Sequence, residues 1–161
     1  LGMMGSGKSS IGSIIAKKLK LNFIDVDKEI EKELNLPISK VFEVKGESFF
    51  RKFEEKITLK KLKLSSVVIS LGGGAFINRN VRLEVLKNHI SFWLNWDDEV
   101  LFNRIKNSKK RPLAFNATEE ELINLIKKRS NTYSKALHEI KCDNLSKNQI
   151  VKNILKTYET N

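Results

Sequence analysis

The first ten residues, LGMMGSGKSS, restrict the possible fold more than any other part of the chain. Gly2 to Ser9 match the pattern G-x-x-x-x-G-K-S, in which glycines let successive backbone N–H groups turn toward phosphate oxygens. Such a loop leads into a helix, and Ile11, Ile15 and Leu19 follow at helical spacing. The sequence therefore predicts a loop that binds the phosphates of ATP or GTP. A plain glycine turn is the alternative, and the amphipathic helix that follows disfavours it.

The loop assigns functions to consecutive residues. We expect the nucleotide to contact Gly5, Ser6, Gly7, Lys8, Ser9 and Ser10. The Lys8 side chain can reach the β- and γ-phosphates, which makes it a catalytic candidate, and the Ser9 hydroxyl can ligate Mg²⁺. A strand normally precedes such a loop. Because only Leu1 does so here, we expect that about five to ten native residues are missing, with most of the first strand.

Length and composition indicate one domain over residues 1–161, since 40% of the side chains are hydrophobic. No apolar run approaches the length of a membrane span, and the lone Cys142 fits a reducing compartment. The formal charge of +11 could indicate a nucleic-acid partner, but the lysines are scattered without interleaved aromatic residues. We therefore expect a cytoplasmic monomer with neither nucleic-acid nor membrane partners.

Hydrophobic patterns predict strands that alternate with helices. Strands are expected at NFID, SVVISL, ISFWLNW and HEIKCD, and SVVISL is apolar enough to be buried on both faces. Helices are expected at KEIEKELNL, ISKVFEVKG, ESFFRKFEEKITLKKLKL, NVRLEVLK, DDEVLFNRIK, EEELINLIKKRSNTYSKAL and NQIVKNILKTY. Gly46 should end one helix, and Thr118 with Glu121 should form a capping box. Such alternation predicts a parallel sheet covered by helices on both faces, a three-layer α/β/α fold.

Two carboxylates follow the first predicted strand. Strand residues alternate sides, so Asp25 and Asp27 should point the same way at its carboxyl end, where open parallel sheets bind ligands. One could hold a water of Mg²⁺ and the other orient an attacking hydroxyl. Capping of the next helix by Asp27 is an equal alternative.

Two further features also have alternative interpretations. The run of three glycines after SVVISL could be a tight turn, or a place where a ligand approaches the backbone closely. Arg51, in a phenylalanine-rich helix, could be a surface partner of Glu54 or Glu55. However, only six of the 30 basic residues are arginines, so each arginine is a candidate for planar, bidentate recognition.

Taken in order, these motifs resemble those of the shikimate kinases. The series is G-x-x-G-x-G-K-S, F-x-D-x-D-x-x-I-E, G-E-x-x-F-R-x-x-E, S-x-G-G-G-A and R-P-L, and it extends from Gly2 to about Tyr133. The resemblance implies the nucleoside-monophosphate-kinase-like branch of P-loop folds, with a five-stranded parallel sheet, a helical substrate-binding region at about 27–64 and a lid at about 107–117. It also implies transfer of the γ-phosphate of ATP to the 3-hydroxyl of shikimate, a step toward chorismate and the aromatic amino acids.

The same resemblance assigns residues to the acceptor. Asp27 corresponds to the aspartate that contacts the shikimate hydroxyls and could accept the proton. Arg51 and Arg129 correspond to the arginines that hold the shikimate carboxylate. The substrate-holding turn corresponds to Gly72, Gly73 and Gly74.

Other residues are assigned to ATP and Mg²⁺. Asp25 corresponds to the aspartate near the magnesium shell, beside Ser9. Arg111, in KRPL, corresponds to a lid arginine that closes over the phosphates and acts in catalysis, and Arg104 to one that lies near adenine. Four of the six arginines thus fall on ligand positions.

Two departures from the usual pattern are Ala114 in RPLA, where RPLL is commoner, and Ser70, where many P-loop enzymes carry an aspartate. The rival functions are another small-molecule kinase of this branch, such as a gluconate or nucleotide kinase, and a nucleotide-dependent binding module. An acceptor panel separates the first from a shikimate kinase, and turnover of ATP separates the second.

Overall fold

The computed structural model describes residues 1–106 and 117–160. Its strands are β1 (Asn22–Asp25), β2 (Val67–Ser70), β3 (Phe92–Asn95) and β4 (His138–Lys141). Its α-helices are α1 (Lys8–Leu19), α2 (Val26–Leu34), α3 (Ile38–Leu62), α4 (Arg79–Asn88), α5 (Asp98–Ile105), α6 (Glu119–Tyr133) and α7 (Lys147–Glu159), with a 3₁₀ turn at Ala75–Ile77. The predicted alternation of helices and parallel strands is confirmed.

The strands form two parallel pairs. β1 pairs with β2, with Asp25 opposite Ser70, and β3 pairs with β4. The two pairs are separate sheets, and Leu1 lies against β3. The Leu1 nitrogen donates to the Phe92 carbonyl at 2.6 Å, and the Leu1 carbonyl accepts from the Leu94 N–H at 2.9 Å. Within the described residues, the expected five-stranded sheet is thus present as four strands, with one residue in the position between β2 and β3.

A groove of about 570 Å³ runs between β2 and β3. Apolar side chains of both strands, of α1 and of α7 line it. Val67, Val68 and Ile69 are half-buried. The prediction that this strand is buried on both faces is therefore wrong, because within residues 1–106 and 117–160 no strand pairs with the edge of β2 that faces the groove.

The helix signals in the sequence are confirmed. α3 is interrupted at Gly46, whose φ of 77° and ψ of 166° are not helical, and this break is where the sequence predicts one helix to end. Thr118 and Glu121 form the predicted capping box of α6 through both reciprocal hydrogen bonds. α2 packs against α3, and α6 packs against α5 and the 3₁₀ turn. These contacts place the ends of β1 and β2 beside α3 and α6.

One hydrophobic core joins the helices to both strand pairs. Its largest fully buried side chains include Tyr133, Phe76, Met3, Ile30 and Ile57. No helix within residues 1–106 and 117–160 is long and apolar enough to cross a lipid bilayer.

Candidate active site

A second cavity, a cleft of about 490 Å³, lies at the carboxyl ends of β1 and β2 beside the glycine-rich loop. The predicted site residues that line it are Gly5, Gly7, Lys8, Ser9, Ser10, Asp27, Arg51, Gly73, Gly74 and Arg129. The groove between the sheets is larger, but its lining is mainly apolar. Because convergent charged groups distinguish binding sites from packing defects, the cleft is the candidate active site.

The glycine-rich loop runs into the first turn of α1. Gly5 and Gly7 have φ angles of 81° and 89°, which glycine adopts without a steric penalty. Gly7 is the N-cap of α1, so the helix N-terminus is directed into the cleft. Exposed N–H groups and the helix dipole make such a terminus an anion site. The Lys8 ammonium donates to the Met3 carbonyl at 2.9 Å, which holds it alongside the loop.

The two aspartates differ in position because β1 ends at Asp25, two residues before Asp27. α2 begins at Val26, so Asp27 lies in its first turn and not on a strand. Asp25 is the N-cap: its Oδ1 accepts from the N–H groups of Asp27 at 3.1 Å and Lys28 at 3.4 Å. The prediction that strand alternation aligns the two carboxylates is therefore wrong. Only Asp27 lines the cleft, and Asp25, rather than Asp27, caps the helix.

The environment of Asp27 raises the pKa of its carboxyl group. Burial raises the pKa of Asp27 to about 6, and the carboxylates of Glu54 and Asp25 add to the rise, while the charge of Lys8 opposes it. A carboxylate with a pKa near neutrality can accept a proton and still be ionised at pH 7. Asp27 is thus suited to interact with a hydroxyl group in the cleft.

Arg51 is held by two carboxylates. Its Nη1 donates to Glu54 Oε2 at 2.7 Å, and its Nε and Nη2 each donate to Glu47 Oε1 at 3.1 Å. The Glu54 side chain is only 4% exposed. Burial raises the pKa of Glu54 despite the opposing charge of Arg51. Burial alone would lower the pKa of Arg51, but Glu54 and Glu47 outweigh it, so the net shift is upward. The pair is consequently partly desolvated and can exchange partners with an anionic ligand.

The three glycines after β2 pass close to these charged groups. A methyl group on Gly72 would lie 2.5 Å from Glu54 Oε1 and 2.6 Å from Asp27 Oδ1. On Gly74 it would lie 2.1 Å from Arg51 Nη1. The residues lack side chains here because the backbone approaches the charged groups closely, rather than because a tight turn demands it.

Arg129 reaches the same turn from α6. It is 8% exposed, and its Nη1 donates to the Gly73 carbonyl at 3.3 Å. The Tyr133 hydroxyl donates to the same carbonyl. Burial raises the pKa of Tyr133 to about 12, so the hydroxyl keeps its proton. Arg51 and Arg129 therefore contact the glycine turn from two different helices.

Four predicted site residues do not line the cleft. Ser6 is a buried residue of the loop, Gly72 lies against Glu54 and Asp27, and Asp25 caps α2. Arg104 stacks on Trp96, with the guanidinium carbon 3.7 Å from the ring centre. Arg111 and most of the expected lid lie outside the described residues.

Glu54, Tyr133 and Trp96 were missed as site residues by sequence reasoning. Glu54 stands in the quoted G-E-x-x-F-R-x-x-E motif, three residues after Arg51, and this i,i+3 spacing could have indicated the pair. Tyr133 and Trp96 touch the site through contacts 60 and 90 residues apart in sequence, and no local pattern signals such contacts.

The N-terminus of α1, the Asp27 carboxylate with its raised pKa and two arginines line one cleft of an α/β fold. The fold and cleft together define a P-loop kinase that acts on a small acceptor.

Comparisons with known proteins identify the family. The family model described as shikimate kinase matches residues 4–159. The shikimate kinase of Bartonella quintana (strain Toulouse) is 39% identical over 99% of this chain and 76% of that protein. The shikimate kinase of Sulfurihydrogenibium sp. (strain YO3AOP1) is 38% identical over 96% of this chain and 93% of that protein. The chain belongs to the shikimate kinase family.

Solved structures agree. Shikimate kinase from Acinetobacter baumannii in complex with shikimate superposes with a TM-score of 0.92 at 28% identity, covering 99% of this chain and 90% of that one. Shikimate kinase from Aquifex aeolicus gives 0.88 at 36% identity, covering 99% and 94%. The family consists of ATP-using phosphotransferases with an alcohol group as acceptor, and gluconate kinase is not favoured for this chain.

Proposed function

We propose that this chain transfers the γ-phosphoryl group of ATP to the 3-hydroxyl of shikimate, giving shikimate 3-phosphate and ADP on the route to chorismate. The observation that carries the proposal is that Arg51, Arg129 and Asp27 line the same cleft as the phosphate loop. A molecule with one carboxylate and several hydroxyls fits this site, because its carboxylate can bind the two arginines and a hydroxyl can donate to Asp27. Family membership narrows that chemistry to shikimate.

The carboxylate of shikimate is the ligand assigned to the two arginines. Guanidinium groups bind carboxylates through two parallel hydrogen bonds, which fixes orientation as well as adding affinity. Glu54 and Glu47 hold Arg51 in place before substrate arrives. The Gly73 carbonyl does the same for Arg129. The acceptor would thus meet a largely preformed clamp beside Gly72, Gly73 and Gly74.

Transfer requires the 3-hydroxyl oxygen to attack the γ-phosphorus while the bond to the β,γ-bridging oxygen breaks and ADP leaves. The hydroxyl proton passes to the Asp27 carboxylate, whose pKa of about 6 allows it to accept. Lys8 and the first N–H groups of α1 stabilise negative charge on the phosphates. Orientation of the hydroxyl by Asp27 and electrostatic stabilisation by Lys8 are separate contributions.

Mg²⁺ is the metal that this site would take with ATP. The fit rests on donor chemistry: Mg²⁺ prefers oxygen, keeps several waters, and binds through few protein ligands plus phosphates. The Ser9 side chain is on the cleft wall, and Asp25 retains a second carboxylate oxygen beyond the Oδ1 that caps α2. Ser9 would hold the ion directly and Asp25 through a water. When bound, the ion would neutralise negative charge on the phosphates.

Three further assignments complete the proposal. Residues 1–161 form one domain, with the acceptor bound by the region at about 27–64. From the family resemblance we assign the region at about 107–117 as a lid that would bring Arg111 to the phosphates, and Arg104 to a position beside adenine. We also expect a monomer in the cytoplasm, without nucleic-acid or membrane partners.

A coupled assay of ADP release tests the proposal. ADP should appear rapidly only when ATP, Mg²⁺ and shikimate are all present, and gluconate should not replace shikimate. Lys8→Ala should lower kcat by about 100-fold or more. Release of ADP at the same rate without shikimate, or ATP binding with no turnover, would contradict the proposed reaction and favour a nucleotide-dependent binding module.

A further inference from the structure

Trp96 links the phosphate loop to the strand that ends beside it. It follows β3 directly and precedes Asp97, the N-cap of α5. Its side chain is 9% exposed, and its indole N–H donates to the Ser6 carbonyl at 3.0 Å. The Asp97 N–H donates to Asp143 Oδ1 at 2.9 Å, so the turn that carries Trp96 is anchored from a second strand end. The indole is therefore a fixed donor under the loop.

That hydrogen bond determines the direction of the next N–H group. A trans peptide is planar, and its C=O and N–H point in opposite directions. Because the Ser6 carbonyl points to buried Trp96, the N–H of Gly7 points the other way. Gly7 is exposed and lines the cleft. The contact thus aims one N–H of the loop toward the space where phosphates bind.

The hydrogen bond from Trp96 constrains the loop at a residue, Gly7, whose backbone could otherwise adopt other conformations. Gly7 has a φ of 89°, and glycine populates positive and negative φ about equally. Rotation of the Ser6–Gly7 peptide would turn the N–H away from the cleft at little backbone cost. In this protein that rotation would break the hydrogen bond from Trp96 to Ser6 and leave the buried indole N–H without an acceptor.

The outer face of the indole carries a second group. The guanidinium carbon of Arg104 lies 3.7 Å from the ring centre of Trp96, and Arg104 is exposed. A guanidinium is planar and can stack on aromatic rings with both faces. With one face toward Trp96, the guanidinium would present its other face to a purine ring. Trp96 would thus hold Arg104 in place from below.

We propose that Trp96 is a positioning residue of the nucleotide site, which aims the Gly7 N–H at the phosphates and holds Arg104 flat for the base. The inference rests on the proposed function only in taking a purine nucleotide as the ligand. Trp96 does not line the cleft proposed for the acceptor, so its effect should be specific to the nucleotide.

The test compares MgADP and shikimate affinity in Trp96→Phe, which keeps an aromatic ring and removes the N–H donor. The Kd for MgADP should rise by about 3- to 10-fold, the effect of one lost hydrogen bond, while the Kd for shikimate stays unchanged. A general loss of structure would instead raise the Kd for both ligands. Unchanged MgADP affinity in a folded Trp96→Phe variant would overturn the inference.

Fluorescence gives an independent readout, because the chain contains only two tryptophans, Trp93 and Trp96. MgADP should change the emission of the unaltered protein and of Trp93→Phe. In Trp96→Phe, which retains Trp93, that change should be lost. Shikimate alone should leave emission from Trp96 unchanged. A full MgADP-dependent change in Trp96→Phe would contradict the placement of the nucleotide next to Trp96.

Arg104→Ala is the second variant, since it alters an exposed side chain and leaves the core intact. Arg104→Ala should raise the Kd for MgADP and leave the Kd for shikimate unchanged. The rise in the Kd for MgADP in the double variant with Trp96→Phe should be smaller than the product of the two single rises. Strictly multiplicative effects would contradict the stack. If the unaltered protein bound no MgADP or released no ADP with shikimate, the proposed function would fail. Normal binding that is insensitive to Trp96 and Arg104 would remove this inference alone.

Discussion

At the scale of single residues, Arg51 and Arg129 are the charges that best distinguish this cleft from a general nucleotide site. They come from α3 and α6 and meet at the glycine turn. Arg51→Lys and Arg129→Lys keep the charge and lose the planar fork. We expect the KM for shikimate to rise by about 10- to 100-fold in each, with the KM for ATP unchanged. Steady-state kinetics with each substrate varied separately measures this difference, and equal losses for both substrates would assign the arginines to the fold or the nucleotide.

Asp27 carries a pH dependence of activity. Because burial raises its pKa to about 6, kcat/KM for shikimate should fall as pH drops below 6 and the carboxylate becomes protonated. Asp27→Asn should reduce kcat by about 100-fold or more and remove that limb of the profile. A wild-type profile that stays flat from pH 7 to about 5 would show that ionised Asp27 is not required.

Asp27 should also lower the free energy of unfolding at pH values where its carboxylate is ionised. An acid whose pKa is raised by folding contributes stability below its unfolded pKa of 3.8, and that contribution is lost as pH rises through about 6. Asp27→Asn should therefore be more stable than the unaltered protein at pH 8, by about 1 to 3 kcal/mol, with the difference shrinking toward pH 4. Urea unfolding at the two pH values measures it. An asparagine variant less stable at pH 8 would mean that the ionised carboxylate has stabilising partners that outweigh its burial.

At the scale of elements, the glycine turn after β2 couples backbone position to the arginine clamp. Gly74 has a φ of −104° and a ψ of −15°, which alanine also adopts, so Gly74→Ala should fold normally. Its methyl group would lie 2.1 Å from Arg51 Nη1 and must displace that guanidinium. We expect the KM for shikimate to rise about 10-fold, as one charged hydrogen bond is lost. In an Arg51→Ala background the same change should have no further effect, and a full additional loss there would locate the damage elsewhere.

Local signals explain which elements the sequence could predict. The loop before α1, the break at Gly46 and the capping box at Thr118 each depend on residues within a few positions of one another, and all three are found as predicted. The aspartate pair failed because Asp25 gains two hydrogen bonds as an N-cap, which starts α2 immediately. Whether the chain continues as a strand or begins a capped helix depends on tertiary packing, which the periodicity of the sequence does not reveal.

The site beyond the motifs depends on contacts across the whole chain. Glu54, Asp27 and Gly72 meet from three segments, so no window of sequence reveals that Glu54 is buried or that burial raises the pKa of Asp27. The stacking of Arg104 on Trp96 similarly depends on how β3 sits beneath the phosphate loop. Motifs therefore predicted many of the residues that line the cleft, whereas tertiary packing determines their hydrogen bonds and protonation.

At the scale of the whole molecule, the groove between β2 and β3 separates the two strand pairs. Among the described residues, β2 pairs with β1 alone and β3 pairs with β4 and Leu1, and apolar side chains line the space of about 570 Å³ between β2 and β3. Leu1 already makes two strand-like hydrogen bonds to β3. A chain that continues in extended form from the Leu1 nitrogen would run along this groove, parallel to β2 and β3, and could pair with both.

Extending the protein by five alternating valine and isoleucine residues before Leu1 should therefore stabilise it. Burial of these side chains and pairing with two strand edges should add about 2 to 4 kcal/mol, which corresponds to a thermal midpoint higher by roughly 5 to 10 °C. A glycine–serine extension of equal length serves as the control, because it offers backbone hydrogen bonds without apolar side chains. Calorimetry measures both, and amides of β2 should gain protection from hydrogen exchange only with the apolar extension. An equal midpoint for the two extended proteins would show that the groove does not accept a strand, and that the half-burial of Val67 to Ile69 persists when chain is available to cover it.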